Sequence, residues 1–276
     1  MGLPAPRDID EKGRGMADIT ALLADLTAES DGLDALVADL DAAGLAEATP
    51  AEGWTIAHQL AHLAWTDRWS LLAASDPERF TAEAQQAFET GFDVVERGAA
   101  EGVGEPPQVL LGRWRAGRAE LAAALAAVAP DTRLPWFGPP MKAPSMATAR
   151  LMETWAHGQD VADALGAVRP PTARLRHIAH LGVRTMGFAF SVHGLPAPQV
   201  PVRVELTGPA GESWTWGVED AADRITGPAL DFCLLATRRR HLDDLALTAV
   251  GDTARTWLPI VQAFAGPPGK GREPLG

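Results

Sequence analysis

The chain has 276 residues, a formal net charge of −12 and one cysteine. This acidic balance argues against a surface that neutralises phosphate groups, so neither nucleic acid nor an anionic membrane is an expected partner. A lone cysteine excludes an intrachain disulfide and a cysteine-rich zinc site, and it fits a reducing, cytoplasmic location. No apolar stretch approaches the roughly 20 residues that span a bilayer, and the N-terminus lacks a signal-peptide core. We therefore expect small-molecule partners, for a monomer or a homodimer.

The spacing of the apolar residues divides the chain into two parts. In residues 16–194 they recur every three or four positions, as in amphipathic helices, whereas residues 200–265 contain alternating runs typical of strands. We predict a helical bundle followed by a small α/β domain, with the boundary in the linker at 194–200. Residues 1–15 and 266–276 are predicted to be flexible ends.

Four strong helical runs are predicted in the first part, which suits an antiparallel four-helix bundle. The first covers residues 16–47, with a break near Ser30-Asp31-Gly32. The second follows Thr55, a residue type that caps helices. A more polar helical run lies at 79–101, and the third strong helix covers 108–129.

The segment DTRLPWFGPPMKAPS precedes the fourth strong helix. Its four prolines exclude a regular helix or a central strand, so we predict a rigid loop that carries aromatic side chains. The helix itself is MATARLMETWAHGQDVADALG, with Ser145 as its cap and Gly166 as its stop. Another helix is expected over residues 172–193.

The second part opens with the signature of a β-hairpin. The alternating runs VRVELTG and SWTWGVE flank the turn PAGE. DRITG is predicted as a third strand and LALTAVGD as a further strand, while GPALDFCLLATRRR and TARTWLPIVQAFA are predicted as helices.

The sequence ETWAH in the fourth helix places Glu153 and His157 four positions apart. Residues at this spacing lie on one face of a helix, so both side chains can reach one ion. A carboxylate and an imidazole suit Zn²⁺ and related divalent metals. A third ligand is needed, and either His58 or His62 can supply it across the bundle. The alternative is that the pair is an ordinary feature of a helix.

Two segments, GWTIAHQLAHLAWTD and ARLMETWAHGQDVADALG, resemble the metal-binding core of the mycothiol-dependent maleylpyruvate isomerase family. The resemblance covers nearly the whole chain and implies a DinB-like four-helix bundle followed by a sterol-carrier-like α/β domain. It also implies a metal held by His62, Glu153 and His157, with His58 in a supporting or structural role. Three protein ligands leave a coordination position open, as at a catalytic metal.

The C-terminal segment WTWGVEDAADRITGPALDFCLLATRRR resembles the small domain that follows the bundle in this family. The resemblance implies that an arginine after the helix binds an anionic group of the substrate, and Arg239 is the best match. The alternative is that Arg238, Arg239 and Arg240 form a solvated helix C-terminus. Asp160 either fixes the tautomer of a neighbouring histidine or is a surface charge.

Three further residues are predicted to bind the thiol cofactor. Trp136 and Met141, together with Phe137, form a wall over the metal, unless they serve only the packing of their loop. Arg150 lies three residues before Glu153 and is expected to orient that carboxylate, or else to form a surface pair.

The resemblance implies an enzyme that uses a divalent metal, with Zn²⁺ favoured and Ni²⁺, Fe²⁺ or Mn²⁺ as alternatives. The metal binds a low-molecular-weight thiol such as mycothiol, lowers its pKa and presents the thiolate to an electrophile, for cis–trans isomerisation or S-transfer. Cys233 lies in an apolar helix and is predicted to be buried and inert. Two other classes stay open: a hydrolase or lyase that uses metal-bound water, and a non-enzymatic carrier of a hydrophobic small molecule.

Overall fold

The computed structural model describes residues 19–89 and 94–275. Within these ranges, four long helices pack as a bundle and a small mixed sheet follows them, so the predicted fold class is confirmed. The predicted flexible segment at 1–15 lies outside the described residues. In the described part of the chain, no helix combines the length and the apolarity needed to cross a membrane. The bundle helices are α1 (Ile19–Val37), α3 (Ile56–Ser75), α6 (Pro107–Ala127) and α7 (Ala143–Ala164), and the shorter ones are α2 (Ala42–Leu45), α4 (Pro77–Glu89), α5 (Val94–Ala100), α8 (Leu175–Arg184) and α9 (Met186–Val192).

Helix α1 runs without interruption through Ser30-Asp31-Gly32, so the predicted break is wrong. Ser30 is buried, and its hydroxyl donates to the carbonyl of Leu26 at 3.0 Å, inside the helix. Leu26 and Leu33 are buried on either side of this point. Their packing outweighs the weak helix propensity of serine, aspartate and glycine. The helix ends at Val37, earlier than predicted, and the short α2 follows.

Helix α7, which carries ETWAH, begins before its predicted cap at Ser145. Lys142 is the N-cap, and Pro144 lies in the first turn, where the missing N–H has no helical partner to lose. Gly166 follows the helix with φ +62° and ends it as predicted, because glycine adopts this left-handed conformation without a steric penalty. The loop before the helix contains a short antiparallel ribbon, β1 (Arg133–Leu134) and β2 (Met141–Lys142).

The single helix predicted over 172–193 is wrong, because α8 and α9 are separated at Thr185. The Thr185 hydroxyl bonds to the carbonyl of Leu181, one turn back, and also to the carbonyl of Gln262 in the C-terminal segment. A contact across 77 positions therefore fixes the backbone between the two helices.

The sheet has the strand order β4-β3-β5-β6. The hairpin of β3 and β4 forms as predicted, β5 joins β3 in parallel, and β6 pairs antiparallel with β5. The predicted closing helix is wrong beyond Trp257, where α11 ends. Pro259 lacks a backbone N–H and disfavours a continued α-helix, so a 3₁₀ turn, Leu258–Ile260, follows. The strands are β3 (Val202–Thr207), β4 (Ser213–Trp216), β5 (Asp223–Pro228) and β6 (Thr248–Val250), and the helices among them are α10 (Ala229–Ala236) and α11 (Asp252–Trp257).

One apolar cluster runs from the bundle into the C-terminal part. It includes Met146 and Leu151 of α7 as well as Ile225 and Phe232 around the sheet. Helix α8 packs closely on α10, since a Cβ added at Gly182 would lie 3.1 Å from the Phe232 ring. The C-terminal part is thus held against α7, the helix that carries two of the three predicted metal ligands.

An ion-pair network between α1 and α6 leads to a prediction about stability. Asp34 accepts hydrogen bonds from Arg115 at 2.6 Å and from Arg118 at 2.9 Å, and the bond from Arg115 holds its pKa below the ordinary value of 3.8. A lowered folded-state pKa means that the stabilisation is complete above the unfolded pKa and is lost as the pH falls through the folded pKa. We expect Asp34→Asn to cost about 1 kcal/mol in urea unfolding at pH 7. The difference should shrink below pH 4, whereas an equal cost at pH 3 would contradict this assignment.

Candidate metal centre

The three predicted metal ligands lie together between α3 and α7. Glu153 Oε2 is 3.1 Å from His157 Nε2 and 3.3 Å from His62 Nε2. One ligand atom from each residue lies within 4.8 Å of the other two. The E-x3-H spacing places Glu153 and His157 one turn apart on α7, and the packing of α3 on α7 adds His62.

The cluster is recessed but open on one side. The side chains of His62 and His157 are 9% and 11% exposed, whereas that of Glu153 is 24% exposed. Packing therefore fixes both imidazoles, and the carboxylate is the most exposed of the three side chains.

At neutral pH the imidazole of His157 is in the protonation state that binds metals. Burial and repulsion from His62 lower the pKa of His157 to about 4, so its imidazole is neutral. A neutral imidazole and an ionised carboxylate are metal ligands without prior loss of a proton.

The orientation of His157 tests whether the cluster fits a cation. His157 Nδ1 lies 2.5 Å from the amide oxygen of Gln59. An amide oxygen only accepts, so Nδ1 carries the ring proton and Nε2 directs a lone pair towards the Glu153 carboxylate. Two electron-rich atoms 3.1 Å apart repel each other unless a positive charge lies between them. The arrangement therefore fits a metal ion, and two imidazoles with one carboxylate are a donor set of catalytic Zn²⁺.

His58, the other candidate for the third ligand, caps helix α3. Its Nδ1 accepts from the backbone N–H of Thr55 at 3.2 Å and lies 2.9 Å from the Thr55 hydroxyl. This contact satisfies an N–H at the start of the helix. The structure thus places His58 in a structural position, one turn before His62.

Trp54 covers the cluster and was not singled out in the sequence. Its ring stacks on that of His157, with centroids 5.9 Å apart and planes 16° apart, and lies 5.3 Å from the His62 ring. Its indole N–H donates to Glu96 of α5 at 3.1 Å. The sequence feature that could have identified Trp54 is its position directly before the capped helix that bears His62.

The aromatic loop reaches the cluster through a second layer of rings. Phe137 lies parallel to Trp65 at 6.1 Å, and the Trp65 ring is 6.3 Å from that of His62. Trp136 instead stacks on the ring of Phe80 at 6.0 Å. Met141 is half-buried in β2 and packs against the apolar cluster. A role for Trp136 and Met141 in thiol binding stays a prediction.

Arg150 is buried and its partner is Asp67 of α3 rather than Glu153. Its Nε donates to Asp67 Oδ1 at 2.8 Å, and the two side chains are 2% and 6% exposed. Burial raises the pKa of Asp67, and the guanidinium opposes this effect. The ion pair joins the two helices that carry His62 and Glu153, so it helps to fix the distance between these two side chains.

Arg239 lies beside the ligand helix, where Asp160 holds it. Its Nη2 donates to Asp160 at 2.8 Å, its Nε to the carbonyl of Ala156 at 3.1 Å, and its Nη1 to that of Thr237 at 2.6 Å. Asp160 is 1% exposed and bonds to arginine, so both earlier readings of this residue, a histidine partner and a surface charge, are wrong. The packing of the C-terminal part on α7 buries it. One N–H remains on each terminal nitrogen of Arg239 outside these bonds.

The neighbouring arginines point elsewhere. Arg240 pairs with Asp163 at 2.7 Å, and Arg238 adopts φ +62° and donates to the carbonyl of Pro259. Arg272, from the segment predicted to be a flexible tail, donates to the second oxygen of Asp160 at 2.6 Å. Among the three consecutive arginines, Arg239 is the one that bonds to the backbone adjoining His157.

Fold and cluster together define a helical-bundle protein with a recessed His₂Glu site and a small mixed sheet packed against the ligand helix. Residues 26–162 match the family model described as mycothiol maleylpyruvate isomerase N-terminal domain, and residues 198–250 match one described as wyosine base formation. The chain belongs to the mycothiol-dependent maleylpyruvate isomerase family.

The chain is also similar to two relatives and to two solved structures. The chain is 56% identical over 257 residues to Uncharacterized protein Rv0036c of Mycobacterium tuberculosis strain H37Rv and to Uncharacterized protein MT0041 of strain CDC 1551, which covers 93% of this chain and 100% of each relative. The crystal structure of the mycothiol-dependent maleylpyruvate isomerase is similar with a TM-score of 0.58 at 17% identity, over 83% of this chain and 92% of that one. A histidine-to-alanine mutant of that enzyme gives the same TM-score at 18% identity. At these identities, the two structural similarities show the fold alone.

Proposed function

We propose that the chain is a divalent-metal-dependent enzyme that activates a low-molecular-weight thiol, such as mycothiol, for addition to an electrophilic small molecule. The reaction is a cis–trans isomerisation or an S-transfer. The observation that carries the proposal is the contact of His157 Nδ1 with the amide oxygen of Gln59, which leaves Nε2 facing the Glu153 carboxylate, with His62 beside both. A cation bound there, Zn²⁺ in preference to Ni²⁺, Fe²⁺ or Mn²⁺, supplies the charge that lowers the pKa of a thiol.

The protein groups around the cluster favour an anionic thiol. Glu153 contributes the one negative charge among the three ligands, so the loaded site keeps a net positive charge. Trp54 and the neighbouring helices cover both imidazoles, which lowers the local polarity and strengthens that attraction. The exposed side of Glu153 is the approach that we assign to the thiol.

Arg239 is the residue that we assign to the substrate. Its guanidinium is fixed next to His157 by Asp160 and by backbone carbonyls, and two of its N–H groups remain to bind an anionic group. A cavity of about 580 Å³ adjoins it between α7 and the C-terminal part. The leucines at 230, 234 and 275 and the arginines at 239, 240 and 272 are among the residues that line it. Asp163 and Glu273 also line it, whereas none of the three proposed metal ligands does.

The nucleophile has to come from outside the chain. Cys233 is fully buried and its Sγ donates to the carbonyl of Leu175 at 3.4 Å. Burial raises the pKa of this thiol well above its ordinary value, so it carries almost no thiolate at neutral pH. A thiol cosubstrate that must stay reduced also suits the cytoplasm, the location that we propose.

This burial predicts the outcome of chemical labelling. We expect iodoacetamide to leave Cys233 unmodified in the folded protein and to modify it fully in 6 M guanidinium, a strongly denaturing condition, as judged by intact mass. Cys233→Ala should then keep the thiol-dependent activity. Rapid labelling of the folded protein, or loss of activity in that variant, would assign the nucleophile to the chain itself.

The proposed function is tested by turnover with and without an added thiol. The Zn²⁺-refilled protein is mixed with mycothiol and either maleylpyruvate or an alkylating electrophile, and free thiol and product are measured. We expect product only when the thiol is present. A transferase consumes one thiol per product, whereas an isomerase leaves the thiol concentration unchanged. Glu153→Gln should abolish either reaction.

Two results would contradict the proposal. Turnover without any thiol would assign the cluster to a hydrolase or lyase. Unchanged binding of a hydrophobic ligand in Glu153→Gln, with no turnover in either protein, would assign the chain to the carriers.

A further inference from the structure

Three hydrogen bonds in series lead from His157 away from the metal centre. Gln59 Oε1 accepts from His157 Nδ1 at 2.5 Å, and Gln59 Nε2 donates to Thr49 Oγ1 at 2.8 Å. The Thr49 hydroxyl donates to the backbone carbonyl of Trp54 at 2.9 Å. Gln59 is fully buried and Thr49 is 9% exposed, so bulk water does not compete for these groups.

The direction of the series is set at its far end. A backbone carbonyl only accepts, so the carbonyl of Trp54 takes the proton of the Thr49 hydroxyl. Thr49 Oγ1 is then free to accept from the amide nitrogen of Gln59. This turns the amide oxygen towards His157, and an oxygen at that position requires the proton on Nδ1. The backbone N–H of Thr49 donates to the same carbonyl at 2.8 Å and fixes its position.

We infer that Gln59, held by Thr49, is a positioning residue that keeps His157 in the tautomer required by a metal ligand. Gln59 lies three residues before His62, on the same face of α3. One turn of α3 thus supplies a ligand at His62 and orients the ligand that α7 supplies at His157. The inference rests on the proposed function only in that the lone pair at Nε2 serves a metal.

Glu153 provides the alternative that this contact has to outweigh. If Nε2 carried the proton, it would donate to the carboxylate 3.1 Å away and form a charge-assisted hydrogen bond. His157 would then be satisfied by Glu153, and its lone pair would lie on the wrong nitrogen. Removing the acceptor at residue 59 should therefore switch the tautomer as well as weaken metal binding.

Two variants separate the hydrogen-bond role of the Gln59 side chain from its role in packing. Gln59→Leu keeps an apolar side chain of similar size but has no acceptor, whereas Gln59→Glu keeps an oxygen that can accept from Nδ1. Gln85→Leu is the matched control, because Gln85 is exposed on α4 and donates to Glu89 of the same helix. Circular dichroism and urea midpoints establish that each variant is folded.

The first readout is the ¹⁵N NMR spectrum of the histidine rings in metal-free protein near pH 7. We expect the Nδ1–H tautomer of His157 in the wild type, in Gln59→Glu and in Gln85→Leu, and the Nε2–H tautomer in Gln59→Leu. The second readout is Zn²⁺ affinity by chelator competition. We expect Gln59→Leu to bind about 10- to 100-fold more weakly, the loss that is typical of removing the hydrogen-bond partner of a ligating histidine. Gln59→Glu should stay close to the wild type.

The outcomes distinguish a failure of the positioning role of Gln59 from a failure of the proposed metal centre. An unchanged tautomer and unchanged affinity in Gln59→Leu would overturn the inference while leaving the proposed function intact. A lower urea midpoint without a change of tautomer would also overturn it, because a structural role alone predicts that result. A tautomer switch in a protein that binds no Zn²⁺ would support the positioning role of Gln59 and contradict the proposed function.

Discussion

Wild-type protein that is refilled with Zn²⁺ and desalted is expected to hold close to one equivalent of metal per chain, and His157→Ala close to none. The variant removes one of three converging ligand atoms and leaves two, His62 Nε2 and a Glu153 oxygen. Losing a ligand should weaken binding by more than the roughly 10- to 100-fold that losing an outer hydrogen-bond partner costs. Elemental analysis of both proteins, prepared side by side, measures this directly.

His58→Ala is the matched control for that experiment. His58 is also a histidine of this layer of the bundle, but its Nδ1 faces the N-cap Thr55 rather than Glu153. We expect this variant to retain its metal and to lose about 1 kcal/mol of stability with the cap. Equal metal content in the wild type and His157→Ala would remove His157 from the ligand set.

Asp67→Ala is expected to destabilise the folded protein by about 3–5 kcal/mol, the largest effect on stability that we predict. Asp67 is the partner of Arg150, and both side chains are almost fully buried. Removing the carboxylate leaves the guanidinium without a counterion, and one of its terminal nitrogens already lacks a partner among the described residues. The measurement is the midpoint and slope of urea unfolding.

Glu101→Ala serves as the control, because its ion pair with Arg68 is exposed and also involves helix α3. It should cost less than about 1 kcal/mol. The double variant Asp67→Leu, Arg150→Met removes both charges and should recover most of the stability. A cost below about 1 kcal/mol for Asp67→Ala would contradict the view that this pair supports the cluster.

What the sequence predicts well is local. The E-x3-H spacing places Glu153 and His157 on one face of a helix, and helical geometry requires no further information. The hairpin of β3 and β4 follows in the same way from alternation around a turn. Gly166 ends α7 because a left-handed residue is needed there.

The spacing of the residues could not decide whether His58 or His62 is the third metal ligand. Both lie on the same helix, four positions apart, and only the family resemblance favoured His62. The structure shows the physical difference: His58 lies in the first turn, where the backbone N–H of Thr55 needs an acceptor, while His62 faces α7. Position along the helix, rather than residue type, separates the cap from the ligand candidate.

The remaining parts of the site depend on contacts between distant segments. Arg150 meets Asp67 across 83 positions, and Gln59 meets His157 across 98. The same holds for the break at Thr185, which follows from a bond to the carbonyl of Gln262. Hydrophobic periodicity predicts which face of a helix is buried, but it does not say which polar side chains meet inside the bundle.

The central claim is that His62, Glu153 and His157 hold one divalent cation. The most direct test is an anomalous difference map from a crystal soaked in Zn²⁺, with data on both sides of the zinc edge. We predict one strong peak about 2.0–2.2 Å from His62 Nε2, Glu153 Oε2 and His157 Nε2. A fully soaked crystal with no peak among these atoms, or with zinc bound only elsewhere on the surface, would contradict it.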